Sequence, residues 1–404
     1  MLIYLQILSI FRTLWKMSDL LPPIVVVGYN RPKSLARLLK SLSKATYPNK
    51  PILLIISIDY SENNYDVLKV AEIFQWDFGE KKVIQHDTNL GLRKHIITCS
   101  SIAMEYGSVI VLEDDLYVSP CFYHYTSQAL FFSSNKNYIG GVSLYNHQLN
   151  VHTGANFSPI EDGYDNWYFQ FASSWGQAYT GNQFNLFLSW YTGNPQIASR
   201  NDVPNYVKSW SDKSWLKYYI TYLVDTNKYF LYPKISLSTN YGEQGTHMGS
   251  TSTMFQVPLM WSHQRKYVFS TLEESLSVYD AFYENLKLHK YLNLSKDDLC
   301  VDLYGYRMKY ITKYILTPKI LKYKIIGSYG RSLRPLDANI IEHLSGDDFY
   351  LYDTNSISLN TNKRNRLKEI IYDKKTINYK EAIFLMRKLI FQRILLLLKN
   401  LIKG

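Results

Sequence analysis

Over the first 115 residues, short apolar runs alternate with amphipathic stretches, and each run gives way to polar or charged positions. Ile24 to Val27 is a β-branched run that stops at the turn-forming Gly28-Tyr29-Asn30-Arg31-Pro32. Ser34 to Leu39 follows at helical spacing. Pro51 to Ile58 reads as a buried strand closing at Asp59, and Asp66 to Phe74 as a helix. Val83 to Gln85 predicts a short strand and Leu92 to Tyr106 a helix. Val109 to Leu112 predicts a fourth buried strand, running straight into Glu113-Asp114-Asp115. Strands alternating with helices predict an α/β protein with a Rossmann-like, mainly parallel central sheet flanked by helices. Ligands of such sheets sit beyond the carboxyl ends of the strands. Here those ends carry Asn30, Arg31, Asp59, His86 to Asn89, and Glu113 to Asp115, a polar edge that core packing does not require.

The rest of the chain is less regular. Residues 1–21 form an N-terminal segment: Met1 to Trp15 is apolar, but Gln6 and Arg12 interrupt it and no small-residue cleavage site follows. It predicts neither a signal peptide nor a bilayer span, and Met17 offers an alternative start. One domain is expected over 22–250, with an irregular Trp-, Tyr-, Asn- and Gly-rich stretch from Gly140 to Gly249. Residues 251–404 are expected to be mainly helical. Glu381 to Lys403 predicts a basic amphipathic helix, with Ile390, Ile394, Leu397, Leu398 and Leu401 on one face and Lys388, Gln392, Lys399 and Lys403 on another.

Composition narrows the classes. Hydrophobic content of 46% and charged content of 20% fit a globular protein, and 404 residues suggest two domains or one large α/β domain with appended helices. A net charge of +11 favours anionic partners such as phosphate-bearing small molecules or an anionic membrane surface. Nucleic acid is not expected, because Lys and Arg are spread widely instead of clustering with aromatics along one face. Cys99, Cys121 and Cys300 form no C-x-x-C pair, so neither a zinc site nor a disulfide framework is indicated, and a reducing cytoplasm is the natural setting. The 36 tyrosines suit contact with sugar rings, although codon usage in an AT-rich genome explains at least as much.

Adjacent carboxylates after a buried strand raise one another's pKa unless a cation sits between them. Mg²⁺ or Mn²⁺ resolves that cost by combining one or two carboxylates with substrate phosphates. A solvated acidic turn is the bland alternative, and the position after Val109 to Leu112 shifts the balance towards a site. Asp59 is placed to accept a hydrogen bond from a base or ribose, and Arg31 beside Asn30 to reach a phosphate or pyrimidine. The stretch His86 to Arg93 joins a strand to a helix through Gly91; an ordinary helix start capped by Thr88 or Asn89 is the competing account.

The ordered set Val26 to Pro32, Ser57-Ile58-Asp59, Asn89 to Arg93 and Val111 to Pro120 resembles GT-A-fold glycosyltransferases. It is most similar to bacterial family 2-like enzymes that share features with the Golgi N-acetylglucosaminyltransferase initiating hybrid and complex N-glycans. Ser173-Ser174-Trp175-Gly176, Ser214-Trp215, Leu231-Tyr232-Pro233 and Gly245-Thr246-His247 extend the resemblance, which covers about residues 22–250. It implies a nucleotide-sugar half over 22–120 and an acceptor half over 121–250. Asp115 would ligate Mn²⁺ or Mg²⁺ on the donor diphosphate, with His247 as a second ligand. Asn30, Arg31, Asp59, Asn89, Arg93, Glu113 and Asp114 would bind the nucleotide sugar, most often a UDP-sugar. Trp175 and Gly176 would shape the acceptor pocket.

Transfer with inversion requires a carboxylate base on the acceptor side. Related sequences carry Asp immediately before the Ser-Trp pair, whereas this chain has Lys213 there. Asp212 is the expected base, with Asp165 and Glu243 as alternatives. The expected activity is therefore a metal-dependent sugar transfer to a glycan acceptor in surface polysaccharide assembly, at the cytoplasmic face of the inner membrane. There the C-terminal helix would lie against the leaflet that carries lipid-linked acceptors; packing against the catalytic domain is its competing role. A sugar nucleotidyltransferase would need a Gly-rich basic loop after the first strand, which Gly28 to Pro32 supplies poorly. A non-catalytic or degenerate carbohydrate- or nucleotide-binding protein is the remaining alternative, given Lys213.

Overall fold

A computed structural model describes residues 21–193, 197, 200–242, 254–262, 265–374 and 378–403. The first half follows the expected alternation. β1 (Ile24–Gly28), α1 (Pro32–Ser43), β2 (Leu54–Ile58), α2 (Tyr65–Ile73), β3 (Lys81–Gln85), α3 (Gly91–Tyr106) and β4 (Ser108–Glu113) come in order. Then come β5 (Leu116–Val118), α4 (Phe122–Ser133), β6 (Ile139–Ser143), β7 (Asn166–Phe169), β8 (Gln177–Thr180), α5 (Gly181–Thr192), α6 (Asn205–Lys208), α7 (Trp215–Asp225), β9 (Tyr229–Pro233), β10 (Ser238–Asn240) and β11 (Val278–Tyr279).

Nine of these strands form one sheet in the order β11-β7-β9-β6-β8-β4-β1-β2-β3. β1 pairs in parallel with both β2 and β4, and β2 with β3. β8 enters antiparallel between β4 and β6. The result is the mainly parallel sheet with flanking helices that the sequence predicts. Because side chains alternate across a strand, Ile24 and Val26 join one core with Leu35, Leu38, Leu39 and Leu42 of α1, while Val25 and Val27 join the other with Ile96, Cys99 and Ala103 of α3. Both sheet faces are therefore covered, which is why these strands read as unbroken apolar runs.

Most large aromatic residues of the middle region belong to the second core. Tyr179, Tyr219, Tyr222, Tyr232, Tyr279 and Tyr283 are buried with Trp167 and Phe187. Tyr219 donates its hydroxyl to the Gly140 carbonyl at 2.8 Å and Tyr232 to the Phe171 carbonyl at 2.9 Å, whereas the Tyr179 and Tyr222 hydroxyls are buried without a hydrogen-bond partner. These tyrosines fill a core instead of offering faces to sugar rings.

The region after residue 250 differs from expectation in two ways. First, the boundary expected at 250 is crossed by the central sheet, since Val278 and Tyr279 of β11 pair with Tyr168 and Phe169 of β7. Second, the stretch expected to be mainly helical holds a four-stranded sheet. After α8 (Leu288–Tyr291) come β12 (Leu299–Val301), β13 (Tyr314–Thr317), β14 (Tyr323–Tyr329), α9 (Leu336–Ile341) and β15 (Phe349–Ile357), with strand order β12-β13-β15-β14. β14 alternates half-buried and exposed positions from Tyr323 on, a period of two that Lys and Tyr disguised. Helix returns in α10 (Arg366–Lys374) and α11 (Tyr379–Lys403), the latter over the expected amphipathic stretch.

Candidate functional site

The parallel register aligns the strand ends. Val27 pairs with Glu113, Gly28 with Ile58, and Ile58 with Gln85, so the residues that follow β1, β2 and β3 emerge on one edge with the end of β4. At that edge the Arg31 guanidinium binds Asp114 Oδ1 and lies 3.4 Å from Asp115 Oδ2. Burial opposes the Arg31 cation, but Asp114 and Asp115 outweigh it and raise its pKa. Burial pushes Asp114 up to about 6 against the pull of Arg31. Glu113 is raised well above the usual carboxylate range, by burial and then by its two acidic neighbours. Asp114 Oδ2 and Glu113 Oε1 are buried without a hydrogen-bond partner, so one guanidinium does not satisfy three carboxyl groups.

That shortfall is the test of fit for a divalent cation. The available donors are hard carboxylate oxygens, and Asp115, with 22% of its side chain exposed against 4% for Asp114, is the one open to a ligand. No group of three His, Cys, Asp or Glu side chains arranged for a metal occurs among the described residues. The residues therefore fit a cation held by one or two carboxylates with the rest of its shell supplied by phosphate, the habit of Mg²⁺ and its like. His247, the expected second ligand, and Glu243, an alternative base, lie outside the described residues.

Asp59 ends β2 as expected, and its carboxylate is engaged. Oδ1 accepts from the Leu90 N–H at 2.8 Å and the Tyr60 N–H at 2.9 Å, and Oδ2 from the Gly91 N–H at 3.0 Å. It thus clamps the first turn of α3, where Gly91 at φ +72° takes a backbone conformation that a side chain disfavours. Asn89 secures the same loop, its amide donating to the Tyr60 carbonyl at 2.8 Å. Asn30 is exposed at the mouth of the edge. Behind it Ser57 Oγ lies 3.0 Å from His86 Nε2 and 2.8 Å from His95 Nε2; burial lowers His95 to about 4, so its ring is neutral.

Arg93 and Asp212 are brought together: the Arg93 guanidinium donates to the Asp212 carbonyl and lies 5.2 Å from the Tyr218 ring. The Asp212 carboxylate is 81% exposed and pairs with Lys217 Nζ at 2.8 Å, and that hydrogen bond holds it below the usual carboxylate range. Asp165 is a structural buckle, accepting from Arg265 and from the Val268 N–H. Trp175 is half-buried between Tyr145 and Phe255, with ring centroids at 4.5 and 4.8 Å. Gly176 sits at φ +93°, and a Cβ there would stand 3.1 Å from Leu144 Cβ and 3.4 Å from Leu112 Cδ2. The glycine lets this turn close on the strand that carries Glu113.

Sequence reasoning missed two neighbours of the acidic run. The Tyr241 N–H donates to the Asp115 carbonyl at 3.0 Å, and the Arg37 guanidinium lies over the Tyr241 ring at 3.6 Å. Tyr241 follows β10, whose antiparallel pairing with β5 brings it there from 126 positions away, and no local signal announces that contact.

No protein-family profile matches the chain, and no curated protein matches it in sequence. Among solved structures it is similar to residues 1–349 of S. aureus TarS in complex with UDP-GlcNAc, at 16% identity and TM-score 0.36, covering 57% of this chain and 61% of that one. It is also similar to the mannosyltransferase PcManGT of Pyrobaculum calidifontis in complex with GDP-Man and Mn²⁺, at 12% identity and TM-score 0.32, covering 58% and 67%. Mouse xyloside xylosyltransferase 1, in its apo form, matches at 13% identity and TM-score 0.33, covering 52% and 83%. The chain thus spans about three fifths of the TarS 1–349 chain.

Proposed function

We propose that the protein transfers a sugar from a nucleotide diphosphate donor, a UDP-sugar, to a hydroxyl of a glycan acceptor, with inversion, in the assembly of surface polysaccharide. The observation that carries this reading is the acidic run Glu113-Asp114-Asp115 at the edge of a parallel sheet, where Arg31 leaves buried carboxylate oxygens without partners. Asp115, with Asp114 behind it, would hold a divalent cation, which supplies charge stabilisation for a departing diphosphate when bound. Arg31 orients both carboxylates and presents its own cation to phosphate. The Asp59 clamp fixes the loop from Asn89 to Gly91 against which a nucleoside would lie, and Asn30 stands at its mouth. Through its bond to the Asp212 carbonyl, Arg93 ties α3 to the acceptor-side loop.

Asp212 is the proposed base. Lys217 keeps it ionised, so it can take a hydrogen bond from an acceptor hydroxyl, but a depressed pKa makes it a weak proton acceptor. That ion pair is the specific feature favouring a second reading, a protein that binds a nucleotide sugar without turning it over. Purified protein incubated with a panel of nucleotide sugars, with and without Mn²⁺, separates the two. Slow, metal-dependent donor hydrolysis is expected, with Asp115→Asn lowering it by about 10²-fold or more and Asp212→Asn sparing donor binding while abolishing transfer. Binding without turnover selects the second reading, and no binding of any donor rejects both.

A further inference from the structure

Helix α11 is the largest surface element that the strand-edge site leaves unexplained. Ile383, Met386, Ile390 and Ile394 recur every three or four residues, so they share one face, and all four are exposed. Phe384, Leu389 and Phe391 are exposed as well and widen the apolar surface. Among the described residues, no hydrogen bond or ion pair joins α11 to another element; at its start the Lys380 and Ala382 N–H groups donate locally to Asn378. A face of this kind is not left in water without a partner.

The charge of the helix says what that partner is. Its 25 residues carry Lys380, Arg387, Lys388, Arg393, Lys399 and Lys403 against Glu381 alone. Such a helix reaches roughly 37 Å along its axis at 1.5 Å per residue, and charges recur along its whole length. No helix among the described residues is long and apolar enough to cross a membrane. A large apolar stripe bordered by cations, too charged to span, suits a bilayer interface: the stripe enters the acyl boundary while Lys and Arg meet lipid phosphates. A protein groove would need acidic walls shaped to this helix, whereas a lipid surface adapts to it.

We propose that α11 lies in the plane of an anionic phospholipid membrane and fixes the protein to that surface. The inference is independent of the donor site. Its test is flotation of the full chain with phosphatidylcholine vesicles, with and without phosphatidylglycerol. Binding to the anionic vesicles is expected, with affinity at least about tenfold lower for the neutral ones and falling as salt is raised. Ile390→Glu with Ile394→Glu removes the apolar stripe and is expected to lower binding by about tenfold or more. Lys388→Glu with Arg393→Glu keeps the stripe and is expected to erase the preference for anionic lipid. All these positions are exposed, so the thermal transition serves as a check that each variant folds. Equal flotation of the stripe variant, or flotation of the native chain with neither vesicle, overturns the proposal. A dimer that Ile390→Glu splits, in a chain that binds no vesicle, assigns the face to a second copy and overturns it too.

Discussion

At the residue scale, Asp59 shows how a strand-end carboxylate can be spent on holding a loop. It is 4% exposed, and three backbone N–H groups point at it, two of them from the first turn of α3. A carboxylate at a helix N-terminus meets orphan donors and the positive end of the helix dipole. Removing it leaves those buried donors unmatched. Asp59→Ala is accordingly expected to cost about 2–4 kcal/mol in chemical denaturation. It should also weaken donor binding, because the Asn89 to Gly91 loop loses its anchor. A variant of native stability would show that the clamp is idle. Arg31 is different in kind: it answers a charge problem that the chain itself creates, and it leaves Asp114 Oδ2 and Glu113 Oε1 without partners.

At the element scale, the site depends on pieces of chain that meet from far apart. β10 pairs with β5 immediately after the acidic run, and Ser238 of β10 donates its hydroxyl to the Trp175 carbonyl at 2.5 Å. Gly176 is the joint of that assembly. A Cβ there would crowd Leu144 Cβ at 3.1 Å and Ser238 Oγ at 3.2 Å, and the positive φ strains any side chain. Gly176→Ala is expected to cost on the order of 2 kcal/mol by thermal unfolding and to disturb Trp175 before it disturbs Arg31. Contacts of this sort explain what the sequence could and could not reveal. The alternation from β1 to β4 was legible because each buried strand is a continuous apolar run and each helix keeps its own period. The insertion of β8 beside β4, the recruitment of Val278 and Tyr279 to the central sheet, and the approach of Tyr241 to Asp115 are non-local pairings with no periodic signature. Likewise Arg31, Asp114 and Asp115 could be read as strand-end residues, while the use of Asp59 as a clamp and of Lys217 as the partner of Asp212 required the folded backbone.

At the scale of the whole molecule, the central sheet and the four-stranded sheet are joined by buried polar contacts. Glu284 accepts from the Leu303 N–H at 2.9 Å and the Tyr304 N–H at 3.0 Å, and Arg307 pairs with Asp280. Tyr279 of β11 donates its hydroxyl at 2.8 Å to Asp337 of α9. Asp337 is buried among Leu336, Asn339 and Ile340, and that burial pushes its carboxyl up to about 7, with the Tyr279 hydrogen bond pulling the other way. A carboxyl whose pKa is higher in the folded than in the unfolded state stabilises most while protonated. Its contribution is therefore complete below about pH 4, declines as pH rises, and is lost above about pH 7. Asp337→Asn keeps an acceptor for Tyr279 and cannot ionise. The melting temperature of the variant minus that of the native chain should become more positive from pH 4 to pH 7 and level off above it. Because Asp337 sits on the seam, a single shared transition should carry that trend. Two transitions, only one of them moving with pH, would mean that the sheets unfold separately and that these contacts do not couple them.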